Sequence, residues 1–362
     1  MSADPRTPTD RAPAPIPTDR FDYDLPPALI AQRPAEPRDA SRLLVLDRAT
    51  GGVEHAVFRE IGRWLRPGDL LVVNRSRVVP ARLAARRRPG GGAAEILLLR
   101  RHAPGAWEAL ARPGRRLAPG AEIDLDRGIV GRIVDRTVGG GRTILFSREG
   151  VPPDEIDDAV LALGRLPLPP YIHDYAGDPE RYQTVYGDRP GSAAAPTAGL
   201  HFTPGLLAEL QARGVGLATV TLHVGLDTFR PVKVDDLRAH EIHRETCTVP
   251  PETARAVAET RARGGRVIAV GTTTVRSLET AAQAAGPDVA ISTWSGETSL
   301  FIVPGYRFKV VAAMVTNFHL PRSTLLALVS AFAGRERILE AYAEAIRERY
   351  RFFSFGDAML LL

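Results

Sequence analysis

The chain has 362 residues, of which 44% are hydrophobic and 25% are charged, and its net charge is +5. This length indicates two domains, and no apolar run approaches the roughly 18 residues that a membrane-spanning helix needs, which excludes proteins anchored in that way. The single cysteine, Cys247, excludes an intrachain disulfide and a metal site made of cysteine pairs. Because no signal peptide is recognisable either, we expect a cytoplasmic protein.

Arginine carries almost all of the positive charge, because Lys233 and Lys309 are the only lysines among 47 basic residues. The codon bias of a GC-rich genome is a sufficient explanation, but arginine binds phosphate well whatever its origin. The basic balance therefore permits a nucleic-acid partner without showing one.

Residues 1–20 contain five prolines and no apolar cluster. This composition predicts a disordered, Pro-rich tail, so that order is expected to begin at Phe21. Beyond it, the apolar runs "LLVL" and "DLLVVN" predict strands on either side of a short helical piece near Phe58–Leu65.

Residues 81–151 have a different pattern, with short apolar runs separated by turns rich in Gly, Pro and Arg. Closely spaced short strands without a helical stretch predict a small antiparallel barrel or sandwich. The segment holds 14 arginines and seven acidic residues, so its net charge of +7 exceeds the net charge of +5 of the whole chain. We therefore expect an inserted Arg-rich β-barrel domain, while residues 21–80 and 152–362 together form an α/β catalytic domain.

Helices and strands alternate after residue 152. The stretch "TPGLLAELQARG" predicts a helix with Thr203 as its N-cap and Pro204 in its first turn, and the strand "VGLATVTLHVG" follows it. Two further pairs are the strand "RVIAVG" with the helix "VRSLETAAQAA", and the strand "VVAAMVTNFHLP" with the helix "STLLALVSAFAG". This alternation predicts an α/β fold, a layered α/β/α sandwich around a mostly parallel sheet.

Polar side chains follow several of these strands, at the point where each strand ends. Ligands of open α/β sheets bind at the carboxyl ends of the strands, so we expect a substrate site at this edge. The stretch "APTAGLHFTP" adds a loop shaped to hold a histidine, although any single histidine near a strand end can also be structural. The side chains in these positions are Thr197, His201, His223, Thr228, Thr272, Thr273, Thr274, Arg276, Asn317 and His319.

The stretch "HEIHRE" at His240–Glu245 raises the question of a metal site. Two histidines three residues apart share a face only in a helix, and the spacing is not that of a His-Glu-x-x-His motif. A polar surface or a substrate contact is the preferred interpretation, and a metal site stays the alternative.

Ten stretches in order from about residue 21 to the C terminus carry a family resemblance. Among them are "FDYDLPPALIAQRP", "GDLLVVNRSRVVPARL", "LPLPPYI", "AAAPTAGLHF", "RVIAVGTTTVRSLE", "VTNFHLPRSTLLALVSAFAG" and "YRFFSFGDAMLL". Together they resemble the S-adenosylmethionine:tRNA ribosyltransferase-isomerase family of queuosine biosynthesis. The resemblance implies an α/β sandwich with an inserted β-barrel, which agrees with the change of pattern at residues 81–151.

The resemblance also implies a reaction. The ribosyl group of S-adenosylmethionine is transferred to 7-aminomethyl-7-deazaguanine at the wobble position of tRNAs with GUN anticodons and is isomerised. The products are epoxyqueuosine, adenine and methionine. The implied partners are S-adenosylmethionine and tRNA, with no membrane, metal or other cofactor, and the chain is expected to act as a monomer.

The sequence departs from the family pattern in two places. Where the family has Asn-Asn-Thr-Arg, this chain has Asn74-Arg75-Ser76-Arg77, in which the serine keeps a hydroxyl. Where the family has Gly-Ala-Gly-Thr-Phe, the chain has "GLDTF" at residues 225–229, so that Asp227 replaces a glycine with a carboxylate. This second change could alter the loop or the choice of substrate.

The implied chemistry requires proton transfers. A proton on the carbon next to a sulfonium is acidic, and its removal gives an ylide, while adenine leaves more readily when it is protonated. Histidine is the simplest acid or base near neutral pH. We hypothesise that His201 or His223 serves in this way, with His319 as the next candidate, and that the threonines and Asn317 bind the donor.

Clustered cations are needed to hold the phosphates of a tRNA stem–loop while one base is presented to a pocket. The barrel is the basic part of the chain, so we expect it to form one wall of the tRNA groove. The alternative is a solvated arginine-rich surface. The side chains expected to contact tRNA are Arg86, Arg87, Arg88, Arg112, Arg115 and Arg116.

Two other functions stay open at this point. A non-catalytic tRNA-binding relative would keep the basic barrel but would not need the array of polar loops. The same chemistry on a free deazapurine is suggested only by Asp227. Incubation with labelled S-adenosylmethionine and either tRNA or the free base would separate the three.

Overall fold

The computed structural model describes residues 14–137, 140–173, 175–225, 231–242, 244–286 and 289–362. The strands in these ranges are, in chain order, β1 Arg42–Leu46, β2 Val53–Val57, β3 Leu70–Asn74, β4 Ser76–Val78, β5 Arg82–Arg88, β6 Ala93–Ala103, β7 Ala106–Arg112, β8 Glu122–Asp124, β9 Val130–Arg136, β10 Arg142–Ser147, β11 Arg189–Ser192, β12 Gly216–Leu222, β13 Glu245–Val249, β14 Val267–Val270, β15 Trp294–Thr298, β16 Ala313–Asn317 and β17 Ala358–Leu361. The α-helices are α1 Ile156–Leu161, α2 Pro204–Ala212, α3 Pro251–Ala262, α4 Thr272–Ala284, α5 Thr324–Ala333 and α6 Arg335–Arg347.

A nine-stranded sheet is the centre of the fold, in the order β15-β13-β12-β3-β14-β16-β17-β1-β2. The four strands β12, β3, β14 and β16 run parallel. The strands outside them include the antiparallel pairs β12/β13, β13/β15, β16/β17 and β1/β2. Strands β17 and β1 pair in parallel, so the prediction of a mostly parallel sheet is correct for the centre and for this pair and wrong for the other flanking pairs. Antiparallel pairs need no crossover helix, so the alternation of helices and strands could not reveal them.

Helices cover both faces of this sheet, which confirms the layered α/β/α sandwich. Successive strand residues point to opposite faces. Leu44 and Leu46 of β1 pack with α3, α4, α5 and α6, whereas Leu43 and Val45 pack with α2 and the 3-10 helix Phe58–Arg63 on the other face. The α2 helix begins at Pro204 as predicted, with the side chain of Thr203 accepting a hydrogen bond from the amide of Leu206.

Asp69 joins the amino ends of the central parallel strands, and it is 3% exposed. Its carboxylate accepts hydrogen bonds from the backbone amides of Arg66 (2.8 Å) and Arg266 (3.2 Å) and from the Arg266 guanidinium (2.6 Å). Its carbonyl accepts the amide of Gly216, where β12 begins. Burial alone would raise the pKa of Asp69, but the hydrogen bonds from Arg266 and the backbone bring that pKa below its usual value. Asp69 therefore links β3 to β14 through its charged carboxylate and to β12 through its carbonyl.

A closed barrel in the order β10-β7-β6-β5-β8-β9 is the second structural unit, and all its pairings are antiparallel. This confirms the predicted antiparallel β-barrel. Helix α1 packs on the barrel core, because Asp157 accepts hydrogen bonds from Arg101 (2.5 Å) and Trp107 (2.6 Å) and Ile156 is buried among the barrel residues. The division into domains at residues 80/81 and 151/152 stays a prediction.

The predicted tail is partly ordered. Residues 1–13 lie outside the described residues, but Thr18–Phe21 forms a 3-10 helix. The side chain of Thr18 is fully buried, and its hydroxyl donates to the carbonyl of Val234 (2.7 Å). The prediction that order begins at Phe21 is therefore wrong by several residues, because backbone bonds to the segment around Val234 compensate for the low hydrophobicity of this stretch.

Replacing Asp69 by Asn tests the junction of the central strands. The amide keeps the shape of the side chain but removes the charge and turns one acceptor into a donor that faces other donors. We expect the free energy of unfolding to fall by about 2–4 kcal/mol, measured by urea titration at pH 7. The exposed carboxylate of Asp126 provides the control Asp126→Asn, which should change this free energy little. Equal stabilities of wild type and Asp69→Asn would contradict the assigned role.

Candidate active site

A cavity opens at the carboxyl ends of the central strands. Asn317 ends β16, Thr272 and Thr273 begin α4 directly after β14, and Val224 follows β12, and all four line the cavity. The fourth central strand, β3, ends at Asn74, whose amide donates to Thr273 Oγ1 (3.3 Å) and to the carbonyl of Leu222 (2.9 Å). Parallel strands thus bring these polar residues to one edge of the sheet.

The polar side chains in the wall of this cavity are uncharged in the part of the chain that the structure describes. The remaining surface of the cavity is apolar and includes Phe318, Leu320, Leu325 and Phe353. Such a lining binds neutral polar groups through hydrogen bonds and offers no counter-ion. The polar side chains that line it are Tyr171, Thr197, Thr272, Thr273, Thr316, Asn317, His319 and Ser354.

Asn317 is fixed by hydrogen bonds on both sides of its amide. Its Oδ1 accepts from Thr197 (2.9 Å), and its Nδ2 donates to the carbonyl of Phe353 (3.2 Å) and to His201 Nε2 (3.2 Å). Thr197 and Phe353 also line the cavity. The side chain therefore connects three segments of the cavity wall.

His201 contacts the cavity only through Asn317. It lies at the end of the 3-10 helix Thr197–His201, is 4% exposed and stacks on Phe58 at a centroid distance of 5.0 Å. Because its Nε2 accepts from Asn317, its proton resides on Nδ1, which donates to Ser41 Oγ (2.8 Å). Burial lowers the pKa of His201 to about 4. The ring is thus neutral, with both nitrogens occupied, and it positions Asn317.

His319 lines the cavity directly. Its Nε2 lies 2.7 Å from Thr316 Oγ1, and its backbone amide donates to the hydroxyl of Tyr342 (2.9 Å). The hydroxyl of Tyr23 donates to its carbonyl. Burial lowers the pKa of His319 to about 3, so this ring is also neutral near pH 7. Of the three predicted histidines, this one alone lines the cavity.

His223 lies beside the cavity, next to Val224 of its wall. The ring packs on Gly191, whose φ is +131°, and a Cβ added there would come within 2.9 Å of the ring. His223 Nδ1 is buried and has no hydrogen-bond partner among the described residues, and burial lowers the pKa of this ring. The close approach requires a glycine at this position.

The remaining predicted residues have different surroundings. Thr274 is fully buried and donates to the carbonyl of Val270 (2.8 Å) inside the structure. Arg276 lines a second cavity together with Glu245. Thr228 lies outside the described residues, as does one histidine of "HEIHRE".

The described residues contain no group of three or more His, Cys, Asp or Glu side chains close enough to hold a metal ion. Glu245, the last residue of "HEIHRE", begins β13 and pairs with Arg276. In the same described part of the chain, none of the helices has the length and apolar character needed to cross a membrane.

Two residues of the cavity wall are not predicted by the rule of strand ends. The hydroxyls of Tyr171 and Ser354 lie 2.7 Å apart. Both residues belong to irregular segments, in the stretches "LPLPPYI" and "YRFFSFGDAMLL", so no helix or strand period marks them. Only the family resemblance of these stretches could have pointed to them.

The arginines predicted to contact tRNA lie at one end of the barrel. Strands β5 and β7 flank β6 and both run antiparallel to it, so Arg88 and Arg112 end their strands at the same end. Arg82 begins β5 at the other end, where it pairs with Arg165. Since a strand rises roughly 3.3 Å per residue, Arg88 at the arginine-rich end is about 20 Å from the bridge between Arg82 and Arg165.

These side chains differ in how much of their charge is available. Arg88 is bonded to Asp124, which raises the pKa of Arg88, and lies 3.8 Å from Glu122. Arg87 lies along Gly92. The side chains that are exposed and have no described carboxylate as a partner are Arg86, Arg112, Arg115 and Arg116.

The neutral state of His201 predicts a dependence of stability on pH. The unfolded chain takes up a proton near pH 6.5, whereas the folded ring does so near pH 4. The contribution of this ring is therefore complete above pH 6.5 and is lost as the pH falls towards 4, at a slope of up to about 1.4 kcal/mol per pH unit. Urea titrations at several pH values between 7 and 4.5 give the free energy of unfolding at each pH. This free energy should change less with pH in His201→Gln than in the wild type.

The same titrations on His173→Gln, at an exposed histidine, should keep the wild-type slope. His201→Gln is also expected to be less stable at pH 7, because it loses the stacking on Phe58, but only the slope reports on the proton. A wild-type slope in His201→Gln would mean that this ring is not the group held neutral.

Comparison of this chain with known proteins shows the family to which it belongs. The family model described as queuosine biosynthesis protein matches residues 18–361. Proteins named S-adenosylmethionine:tRNA ribosyltransferase-isomerase from Symbiobacterium thermophilum and Moorella thermoacetica are 56% and 55% identical, over 94% and 95% of this chain and 98% and 99% of their own. The crystal structure of S-adenosylmethionine tRNA ribosyltransferase from Thermotoga maritima is 44% identical, with a TM-score of 0.55 over 95% of this chain and 100% of that chain. The chain therefore belongs to the family of queuosine biosynthesis proteins.

Proposed function

We propose that the chain is an S-adenosylmethionine:tRNA ribosyltransferase-isomerase. It transfers the ribosyl group of S-adenosylmethionine to 7-aminomethyl-7-deazaguanine at the wobble position of tRNAs with GUN anticodons, and it releases adenine and methionine. The observation that carries this proposal is the identity of more than half of the aligned residues with relatives of that name over nearly the whole chain. The cavity at the strand ends supports it, because its neutral donors and acceptors suit a purine and a ribose.

Proton transfer is assigned to His319 because it lines the cavity with a neutral imidazole. A neutral ring can accept a proton from the carbon next to the sulfonium, and the imidazolium so formed can pass that proton to departing adenine. Its bond to Thr316, the bond from its backbone amide to Tyr342 and the bond from Tyr23 to its carbonyl fix the position of the ring. His201 is a positioning residue that acts through Asn317. The buried Nδ1 of His223 has no hydrogen-bond partner among the described residues, so His223 is the second candidate for a contact with the acceptor base.

The proposed reaction also determines which cofactors and partners the enzyme needs. The reaction involves no change of oxidation state that requires a redox cofactor, and the proton transfers need no metal. We infer a cytoplasmic enzyme because tRNA is its substrate, and we propose that it acts as a monomer. The exposed arginine-rich end of the barrel is the proposed contact for tRNA phosphates.

Substitution of the two buried histidines separates chemistry from positioning. We expect His319→Gln to lower kcat for adenine release by about 10²–10⁴-fold, with a small change in KM for S-adenosylmethionine. His201→Gln should act mainly on KM and lower kcat less, because it loosens Asn317 rather than removing a group that touches substrate. The measurement is adenine released from S-adenosylmethionine with modified-base tRNA, and His173→Gln is the control. Wild-type kcat in His319→Gln would refute the assignment.

The salt dependence of tRNA affinity tests the barrel. Replacing Arg112, Arg115 and Arg116 together by Ser should reduce the slope of log affinity against log salt by about 0.7–0.9 for each phosphate that the protein no longer neutralises. Arg88→Ser is the matched control, because this cation lies at the same end but is already paired. KM for S-adenosylmethionine should stay unchanged in both.

A second control removes three charges elsewhere. The triple variant with Ser at the exposed Arg255 and Arg261 of α3 and at Arg263, which follows this helix, has the same net charge as the barrel variant. If it reduces the slope as much as the barrel variant, the effect is one of total charge. In that case the tRNA does not contact the arginine-rich end of the barrel.

A further inference from the structure

A second cavity adjoins the first. Leu325 lines both, and the consecutive residues Val224 and Gly225 line the first and the second respectively. Thr272 in the first cavity and Arg276 in the second are four residues apart on α4, so they lie one above the other on the same helix face. A ligand that extends beyond the first cavity along α4 would therefore enter the second.

The second cavity contains a buried ion pair. The side chains of Arg276 and Glu245 are 7% and 5% exposed and are bonded to each other through Arg276 Nη1. Arg276 Nε donates to the carbonyl of Leu300 (3.1 Å), and Glu245 Oε1 accepts the amide of Gly225 (2.8 Å). The pair is thus fixed in the wall and adds no net charge to it.

One nitrogen of this pair lacks an acceptor. Arg276 Nη2 is buried and has no hydrogen-bond partner among the described residues. A buried charged donor without an acceptor is costly and rare, which indicates that a group absent from the structure completes it. Helix α5 begins beside the same cavity, which Thr324 lines, and the positive end of a helix favours an anion.

The required ligand has to carry both charges. A lone anion or a lone cation would leave the buried pair with an uncompensated charge, whereas a zwitterion leaves the cavity neutral. Apart from the ion pair, His240 and Thr324, the side chains that line this cavity are apolar, and Leu300 and Leu328 among them suit a short methylene chain. An α-amino acid end on an aliphatic chain meets all of these conditions.

We propose that the second cavity binds the methionine end of S-adenosylmethionine. Its carboxylate bonds to Arg276 Nη2 and its ammonium group lies against Glu245, while the adenosyl part occupies the first cavity. This inference rests on the proposed function. It implies that the expelled methionine is still held by the same pair after the ribosyl group has left, so free methionine competes with S-adenosylmethionine for the enzyme.

Decarboxylated S-adenosylmethionine tests the carboxylate contact with the unaltered enzyme. This analogue keeps the sulfonium, the ribose and the ammonium group. We expect its kcat/KM to be about 10–100-fold lower than that of S-adenosylmethionine, as for the loss of a charge-assisted hydrogen bond. Equal values for the two donors would overturn the inference while leaving the proposed function intact. Absence of turnover with S-adenosylmethionine itself would instead refute the proposed function.

The variant Arg276→Gln locates the effect. Its kcat/KM for S-adenosylmethionine should approach its kcat/KM for the decarboxylated analogue. The ratio of the two values should then be about threefold or less. Because the single change leaves Glu245 buried without its partner, the double variant R276Q/E245Q is the form to use if the single one unfolds. A preference retained by a folded variant would place the carboxylate elsewhere.

Product inhibition tests the same carboxylate contact with the unaltered enzyme. Methionine should inhibit wild-type adenine release more strongly than methioninol, which has a hydroxyl in place of the carboxylate, by about tenfold or more. Equal inhibition by the two compounds would contradict the assignment of Arg276. In the double variant this difference should disappear.

Discussion

The register of the central parallel strands is the constraint on which the site depends. Leu70 of β3 lies opposite Gly216 on one side and Val267 on the other, so the three strands begin level with one another. Asp69 fixes those beginnings by bonds to the backbone of two neighbouring strands. A shift of one residue would turn Asn74 and its neighbours to the opposite face, and the polar edge would not form.

Burial then decides the electrostatic character of the site. The histidines at the strand ends lie in surroundings that disfavour their charged form, so the first cavity combines polar groups with low charge. The second cavity holds the buried ion pair of Arg276 and Glu245, and the exposed arginines predicted to contact tRNA lie at one end of the barrel. With the substrates placed as proposed, the cationic donor and the polyanionic tRNA would contact different parts of the enzyme.

Local sequence patterns predict much of this fold, for a physical reason. The cap at Thr203, the central strands and the barrel strands each follow from short-range periodicity and turn residues. Pairings between distant segments do not, so the antiparallel flanks cannot be predicted in this way. The same limit applies to the site: His201 carries the expected residue type, but only the tertiary structure reveals that Asn317 separates it from the cavity. Tyr171 and Ser354 have no local signature at all.

The place of β17 in the sheet has a consequence for how the chain folds. This strand lies between β16 and β1, and its pairing partner β1 is more than 300 residues earlier. At a synthesis rate of about 5–20 residues per second, the β1–β2 hairpin waits on the order of a minute or less with one edge unpaired. The barrel, whose hairpins are close in sequence, can form during that interval. Strand β17 would then complete the sheet by pairing with both β16 and β1.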